Sequence, residues 1–129
     1  MADSNNDTKL KALVVLLQMR DESMSGAAKP NVISYTTVMS GWAHQGNYER
    51  ASEVLRLMYD DYVNGNVKAK PDIMAYNTLL TAYARSKEKD SWTRAAALVE
   101  HMKKISNEGV LDIQPDVYST SIGKFIIVH

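Results

Sequence analysis

The sequence has no cysteine, which excludes a disulfide framework and any zinc or iron–sulfur site held by cysteine ligands. It also has no long apolar run, since none approaches the roughly 20 residues that a membrane-spanning helix needs. The net charge is zero, with 15 basic and 15 acidic residues, whereas a strong non-specific binder of polyanions is expected to be basic. Any binding of nucleic acid must therefore rest on specific side chains, and no membrane partner is expected.

Signals for catalysis and for bound cofactors are lacking as well. The histidines His44, His101 and His129 are scattered, without a carboxylate or second histidine at ligand spacing. The adjacent Asp60 and Asp61 are interpreted as part of a solvated helix face. No phosphate-binding glycine loop and no nucleophile motif occurs. We therefore expect that the chain is not an enzyme and that it holds neither a metal nor another cofactor.

What is present is one pattern that occurs three times. An alanine, two aliphatic residues and a methionine recur at helical spacing, with a glycine seven residues after the methionine and a proline beyond it. The copies are Ala12, Val15, Leu16, Met19, Gly26 and Pro30; Ala51, Val54, Leu55, Met58, Gly65 and Pro71; and Ala95, Leu98, Val99, Met102, Gly109 and Pro115. Such a repeat is typical of a solenoid, whereas an ordinary helical bundle does not require it.

Each copy predicts an amphipathic helix, because apolar residues at i, i+3, i+4 and i+7 lie on one helix face. The glycine is a helix stop, since it accepts the left-handed backbone conformation that ends many helices. These second helices are predicted at 8–25, 48–64 and 91–107, with N-caps at Asp7 or Thr8, at Asn47, and at Asp90 or Ser91. First helices are predicted between them, at 32–45 and 73–86, where the sequence around Tyr35 matches that around Tyr76.

We therefore expect an all-α fold, an α-solenoid in which antiparallel helical hairpins stack into a right-handed superhelix. Its expected parts are a polar N-terminal tail at 1–7, the second helix of a partial repeat at 8–31, complete repeats at 32–72 and 73–116, and a partial first helix at 117–129. Repeat arrays need about three units for stability. Two complete units therefore predict either a longer array with further repeats or end-to-end pairing with another copy.

The two first-helix segments carry a further pattern. Segments 29–41 and 70–83 contain a proline, an asparagine or aspartate, three more residues, a tyrosine and, after two further residues, an aliphatic pair. Together with the second-helix pattern, they resemble the pentatricopeptide repeat family over residues 8–121. The chain departs from the family because its prolines are 41 and 44 residues apart instead of about 35, and because Thr120, Gly123 and Lys124 interrupt the third opening. The related tetratricopeptide repeat, which binds peptides, is the alternative and predicts a protein-interaction scaffold without RNA binding.

The resemblance implies sequence-selective binding of single-stranded RNA, one base per repeat. The base-reading positions that it implies are Thr36 with Asp72, Asn77 with Asp116, and, in the partial repeats, Asn31 and Ser121. It also implies that Ile33, Met74 and Tyr118 sandwich the bases. An ionised aspartate only accepts hydrogen bonds, so both pairs favour guanine or uracil, which carry a ring N–H. The family's pairing rule gives guanine for Thr–Asp and uracil for Asn–Asp, so the expected core is 5′-GU-3′.

A purely structural interpretation of the same residues stays open. Asn31, Asp72 and Asp116 each precede a helix and are suitable N-caps. Thr36 and Asn77 are equally suited to solvated positions, and the apolar sandwich residues to the core. The usual location of the family implies a mitochondrion or chloroplast, although the polar opening MADSNND does not resemble a transit peptide.

Overall fold

The structure is a computed structural model that describes residues 30–116 and 119–122. Its helices are α1 (Val32–His44), α2 (Tyr48–Val63), the 3₁₀ helix η1 (Val67–Ala69), α3 (Ile73–Arg85) and α4 (Ser91–Asn107); residues 119–122 are also helical, and no strand occurs in the described part. The four helices predicted within this part are confirmed to within one residue at each end. The predictions for the tail at 1–7, the helix at 8–25 and most of 117–129 lie outside the described residues.

Side-chain caps explain where three of the helices begin. Asn31, Asn47 and Asp72 each accept a hydrogen bond from the backbone N–H three residues later, at 2.9, 3.2 and 3.0 Å. Such a bond satisfies one of the N–H groups that have no partner within the first turn of a helix. The cap predicted at Asn47 is therefore confirmed.

The N-cap position predicted at Asp90 or Ser91 is confirmed at Asp90, but the expected capping hydrogen bond is not formed. Asp90 occupies the N-cap position of α4, but its backbone is helical, with φ −85° and ψ −2°, and its side chain makes no capping bond. Capping requires a non-helical backbone that turns the side chain back over the first turn. The hydroxyl of Ser91 instead donates to the carbonyl of Glu88, at 2.8 Å, in the turn before the helix.

The repeated pattern of the sequence forms much of the core. Its buried members are Ala51, Val54, Leu55 and Met58 in α2 and Ala95 and Met102 in α4. The two alanines are fully buried, and their small side chains suit a close-packed contact between helices. Because equivalent positions are buried in successive hairpins, the core continues from one hairpin into the next, as in a solenoid.

The hairpins stack through their first helices. Helix α1 packs against α2 within the first hairpin and also against α3, the first helix of the second hairpin; α3 packs in turn against α2 and α4. The first helices therefore lie side by side, which confirms the expectation of an all-α solenoid of stacked hairpins. Within the described part, no helix combines the length and apolar character that crossing a membrane requires.

A buried polar network joins the first hairpin to the loop that leads to the second. The hydroxyl of Tyr35 donates to Asp61 Oδ2 at 2.7 Å, and Asn66 Nδ2 donates to the same oxygen at 2.8 Å. Asn66 Nδ2 also donates to the carbonyl of Pro30, at 2.8 Å. The interpretation of Asp61 as part of a solvated helix face is therefore wrong, because its carboxylate is half-buried and connects α2 with α1 and the following loop.

Candidate nucleic-acid interface

A first groove lies between the N-terminal halves of α1 and α3. Its volume is about 460 Å³, and its lining includes Thr36 and Asp72 together with Ile33 and Met74. The groove thus brings together the first pair of residues expected to read a base and the two apolar residues expected to hold that base between them. These residues come from two helices because α1 and α3 are neighbours in the stack.

A second groove lies beside the first, at the start of the next helical segment. Its volume is about 300 Å³, and its lining includes Asn77 and Asp116, the second pair, together with Met74. Met74 and Thr78 line both grooves. The two grooves are therefore adjacent, with Met74 as part of the wall that they share.

The apolar residues at this surface are exposed. Ile33 is 73% exposed and Met74 is 64% exposed, so the alternative that they belong to the core is wrong. A single exposed apolar side chain is ordinary. Here, however, two such side chains occupy equivalent positions in α1 and α3, each beside a polar pair. The third expected sandwich residue, Tyr118, lies outside the described residues.

The residues after the prolines do act as N-caps, as the structural interpretation holds. Asp72 Oδ1 accepts from the N–H of Ala75, and Asp116 Oδ1 accepts from the N–H of Ser119, both at 3.0 Å. Capping by Asp72 uses one oxygen only, and within the described residues its Oδ2 makes no hydrogen bond. A carboxylate has about four acceptor sites, so capping leaves Asp72 able to accept a further hydrogen bond from a ligand in the first groove.

The hydroxyl of Thr36 makes a hydrogen bond within its own helix. It donates to the carbonyl of Val32 at 2.6 Å and makes no hydrogen bond to Asp72 in the described part. A hydroxyl that has donated its proton still accepts. The first groove therefore offers hydrogen-bond acceptors from Thr36 and Asp72, and both side chains are half-buried.

Asn77 is the centre of a network between successive hairpins. It is only 6% exposed, so the alternative of a solvated position is wrong. Its Nδ2 donates to both oxygens of Asp116, at 3.2 and 3.3 Å, and its Oδ1 accepts from the hydroxyl of Ser119 at 2.5 Å. Ser119 was not expected at this site. The spacing Asp116-x-x-Ser119 indicates a helix cap, but no sequence pattern indicates the contact with Asn77.

The two remaining predicted positions lie apart from these grooves. Asn31 is exposed and forms a reciprocal capping box with Ser34, and Ser121 is exposed in the helical segment 119–122. Neither lines the two grooves. Among the residues that the structure describes, no group of three or more histidine, cysteine, aspartate or glutamate side chains is arranged to hold a metal ion.

Comparison with known proteins favours the pentatricopeptide repeat over the tetratricopeptide repeat. The family model described as the pentatricopeptide repeat domain matches residues 19–69 and 59–108. A pentatricopeptide repeat-containing protein of Arabidopsis thaliana is 31% identical over 100 residues, which are 77% of this chain and 15% of that protein. The chain thus spans a small part of the length of the relative. No solved structure matches it significantly.

Proposed function

Because the chain belongs to the pentatricopeptide repeat family, a family of RNA-binding repeat proteins, we propose that it binds single-stranded RNA along the two grooves beside its first helices. One observation carries this proposal: each groove combines an exposed apolar side chain with a pair of polar residues, and the arrangement recurs from one hairpin to the next. An apolar wall supports a base of any kind, whereas the polar pair distinguishes one base from another.

The first groove fits guanine. Asp72 keeps one carboxylate oxygen for a hydrogen bond, and guanine presents a ring N–H where adenine has a bare nitrogen. Thr36 is short and leaves room for a purine. Ile33 and Met74 line the same groove and would supply the apolar contact to the base.

The second groove fits uracil. Asp116 again supplies a carboxylate for a ring N–H, and Asn77 reaches further than Thr36 and leaves space for a smaller base. Since family members run parallel to their RNA, the proposed core is 5′-GU-3′. Asn31 suggests adenine or cytosine before this core, and Ser121 suggests a purine after it.

In keeping with its family, we further propose that the chain acts in RNA processing in a mitochondrion or chloroplast, without catalysis of its own, and that further repeats or other proteins are its partners. Two bases provide little affinity. Because the net charge is zero, we expect binding to weaken only slightly as salt increases.

The variant Asp72→Asn tests the proposal. Asparagine caps a helix about as well as aspartate, so thermal unfolding is expected to stay unchanged. Its amide offers an N–H to the bare ring nitrogen of adenine, so the preference at the first position is expected to move from guanine to adenine, by about tenfold. The measurement is fluorescence anisotropy with short single-stranded RNAs that contain GU or AU, at one stated salt concentration.

Two results would contradict the proposal. If the variant kept the preference of the unmodified chain, the assignment of Asp72 would be wrong. If the unmodified chain bound neither RNA, the protein-interaction scaffold would be the better description.

A further inference from the structure

We propose that Ser119 is a positioning residue that holds the side-chain amide of Asn77 in one orientation and thereby favours uracil over cytosine in the second groove. The inference rests on the proposed RNA-binding function and adds to it a residue outside the pairs that are expected to read bases. It starts from the hydrogen bond between Ser119 Oγ and Asn77 Oδ1, at 2.5 Å.

The hydroxyl of Ser119 is itself oriented by the cap to which it belongs. Ser119 is fully buried. Its Oγ accepts from the backbone N–H of Asp116 at 3.3 Å, while its own N–H donates to Asp116 Oδ1 at 3.0 Å. The single proton of the hydroxyl has two acceptors within reach, Asn77 Oδ1 at 2.5 Å and Asp116 Oδ1 at 3.1 Å, and the shorter distance assigns it to the amide oxygen of Asn77.

This arrangement determines which atoms of Asn77 face which partner. A carboxylate only accepts hydrogen bonds, so the amide nitrogen lies towards Asp116, and the amide oxygen lies towards Ser119. With the oxygen held by Ser119, the pair presents an N–H donor beside a carboxylate acceptor.

Uracil complements this pair, because its edge carries a carbonyl beside a ring N–H. Cytosine mismatches the hydrogen-bonding groups of this pair at two positions. Its bare ring nitrogen meets the carboxylate of Asp116, and its amino group meets the N–H donor of Asn77. A rotated amide would turn its oxygen to the amino group of cytosine, so restraint of the amide disfavours cytosine.

The first groove has no such restraint. Ala75 stands three residues after Asp72, at the position that Ser119 occupies after Asp116, and it has no hydroxyl. Thr36 donates instead to its own helix, at Val32. The orientation of a base-reading side chain by the next helix is therefore a property of the second groove alone among the two that the structure describes.

The chain supplies a matched control in Ser34. It forms the same cap with Asn31, in which the Ser34 N–H donates to Asn31 Oδ1 at 2.9 Å and Ser34 Oγ accepts from the Asn31 N–H at 3.3 Å. Within the described residues, the hydrogen bonds of Ser34 stay inside this cap. The variant Ser34→Ala thus removes the cap contribution without removing a contact to the base-reading pairs of the two grooves, and the base that Asn31 would face is the same in all the RNAs compared.

The experiment compares the full chain with Ser119→Ala and Ser34→Ala. Dissociation constants are measured for four RNAs of one length that differ only in the core, GU, GC, AU and AC. We expect Ser119→Ala to reduce the uracil-to-cytosine preference about threefold to tenfold, the equivalent of one hydrogen bond, and to leave the guanine-to-adenine preference unchanged. We expect Ser34→Ala to change neither ratio, although it removes the same helix-cap bonds.

The outcomes separate this inference from the proposed function. If the unmodified chain prefers GU but Ser119→Ala lowers affinity for all four RNAs equally, Ser119 is only a helix cap and the inference is overturned while RNA binding stands. The same holds if Ser34→Ala changes the uracil-to-cytosine ratio as much. If the unmodified chain binds none of the four RNAs, the proposed function fails and this inference fails with it.

Discussion

Gly46 lies directly against the end of α3 in the next hairpin. A β-carbon at Gly46 would be 2.7 Å from the carbonyl oxygen of Arg85 and 2.9 Å from the backbone nitrogen of Ser86. Gly46 also has a φ of +69°, in the left-handed region that disfavours other residues. The turn of one hairpin is therefore in backbone contact with the first helix of the next, and only glycine fits there.

The variant Gly46→Ala is accordingly expected to lose much more stability than Gly109→Ala. Gly109 has a similar φ of +74°, but a β-carbon there meets no atom within 4 Å, so only strain of about 1–2 kcal/mol applies. At Gly46 the clash with backbone adds about 1–3 kcal/mol. Urea denaturation of both variants measures the difference. Equal losses would mean that this contact between hairpins is easily relaxed.

The carboxylate of Asp61 supports a second prediction. It accepts from Tyr35 at 2.7 Å and from Asn66 at 2.8 Å, so Asp61→Ala removes two hydrogen bonds at once. A loss of about 1–3 kcal/mol in the free energy of unfolding is expected. The neighbouring Asp60 is exposed, and Asp60→Ala is expected to change stability by less than about 0.5 kcal/mol. The prediction fails if thermal denaturation gives the same midpoint for the two variants.

Tyr48 makes stability depend on pH in the alkaline range. Its hydroxyl donates to the carboxylate of Glu88. This hydrogen bond, followed by burial, raises the pKa of Tyr48 to about 12 from its ordinary 10.0, although the nearby Arg94 opposes the shift. The folded chain holds the proton more tightly than the unfolded chain. The resulting stabilisation is therefore complete below about pH 10 and is lost as the pH rises towards about 12.

We expect the free energy of unfolding, measured by urea denaturation at a series of pH values, to fall over that interval. The fall should be smaller in Tyr48→Phe, which has no proton to lose, and in Glu88→Gln, which has no carboxylate. Burial also raises the pKa values of Tyr76 and Tyr83, so part of the decline should persist in both variants. A variant curve parallel to that of the unmodified chain would refute the role of Tyr48.

The helices were predictable because their signals are local. The spacing from Ala51 to Met58 determines which face of α2 is buried, and this face alone is enough to indicate a helix there. The cap of α4 was not predictable. Whether Asp90 caps depends on the backbone of the preceding turn, where Ser91 bonds to Glu88, and residue type alone does not determine that conformation.

Of the candidate site, too, one part could be predicted from the sequence and another could not. Thr36 and Asn77 occupy equivalent positions in successive repeats, so the repeat itself predicts that they lie on neighbouring helices. The bonds that distinguish the two grooves join residues far apart in the chain, such as Ser119 and Asn77, which are 42 positions apart. Such bonds depend on how one hairpin sits on the next, and a single sequence contains no local pattern for that.

Met74 leads to a last prediction, which concerns oxidation. It is 64% exposed and lines both grooves, whereas Met39, Met58 and Met102 are fully buried. Oxidation of methionine follows exposure and converts an apolar side chain into a polar sulfoxide. Mild treatment with hydrogen peroxide is therefore expected to modify Met74 before the three buried methionines, which peptide mass mapping can follow.

Under the proposed function, this oxidation should weaken RNA binding at two adjacent bases. A loss of about 1 kcal/mol, or about fivefold in affinity, is expected if apolar contact with a base lies at the low end of stacking energies. Met74→Leu is the matched control, because leucine keeps the apolar wall and has no sulfur to oxidise. Peroxide should then leave the affinity of the variant unchanged. If the variant lost affinity as the unmodified chain does, the effect would come from another methionine, and Met74 would have no part in holding the bases.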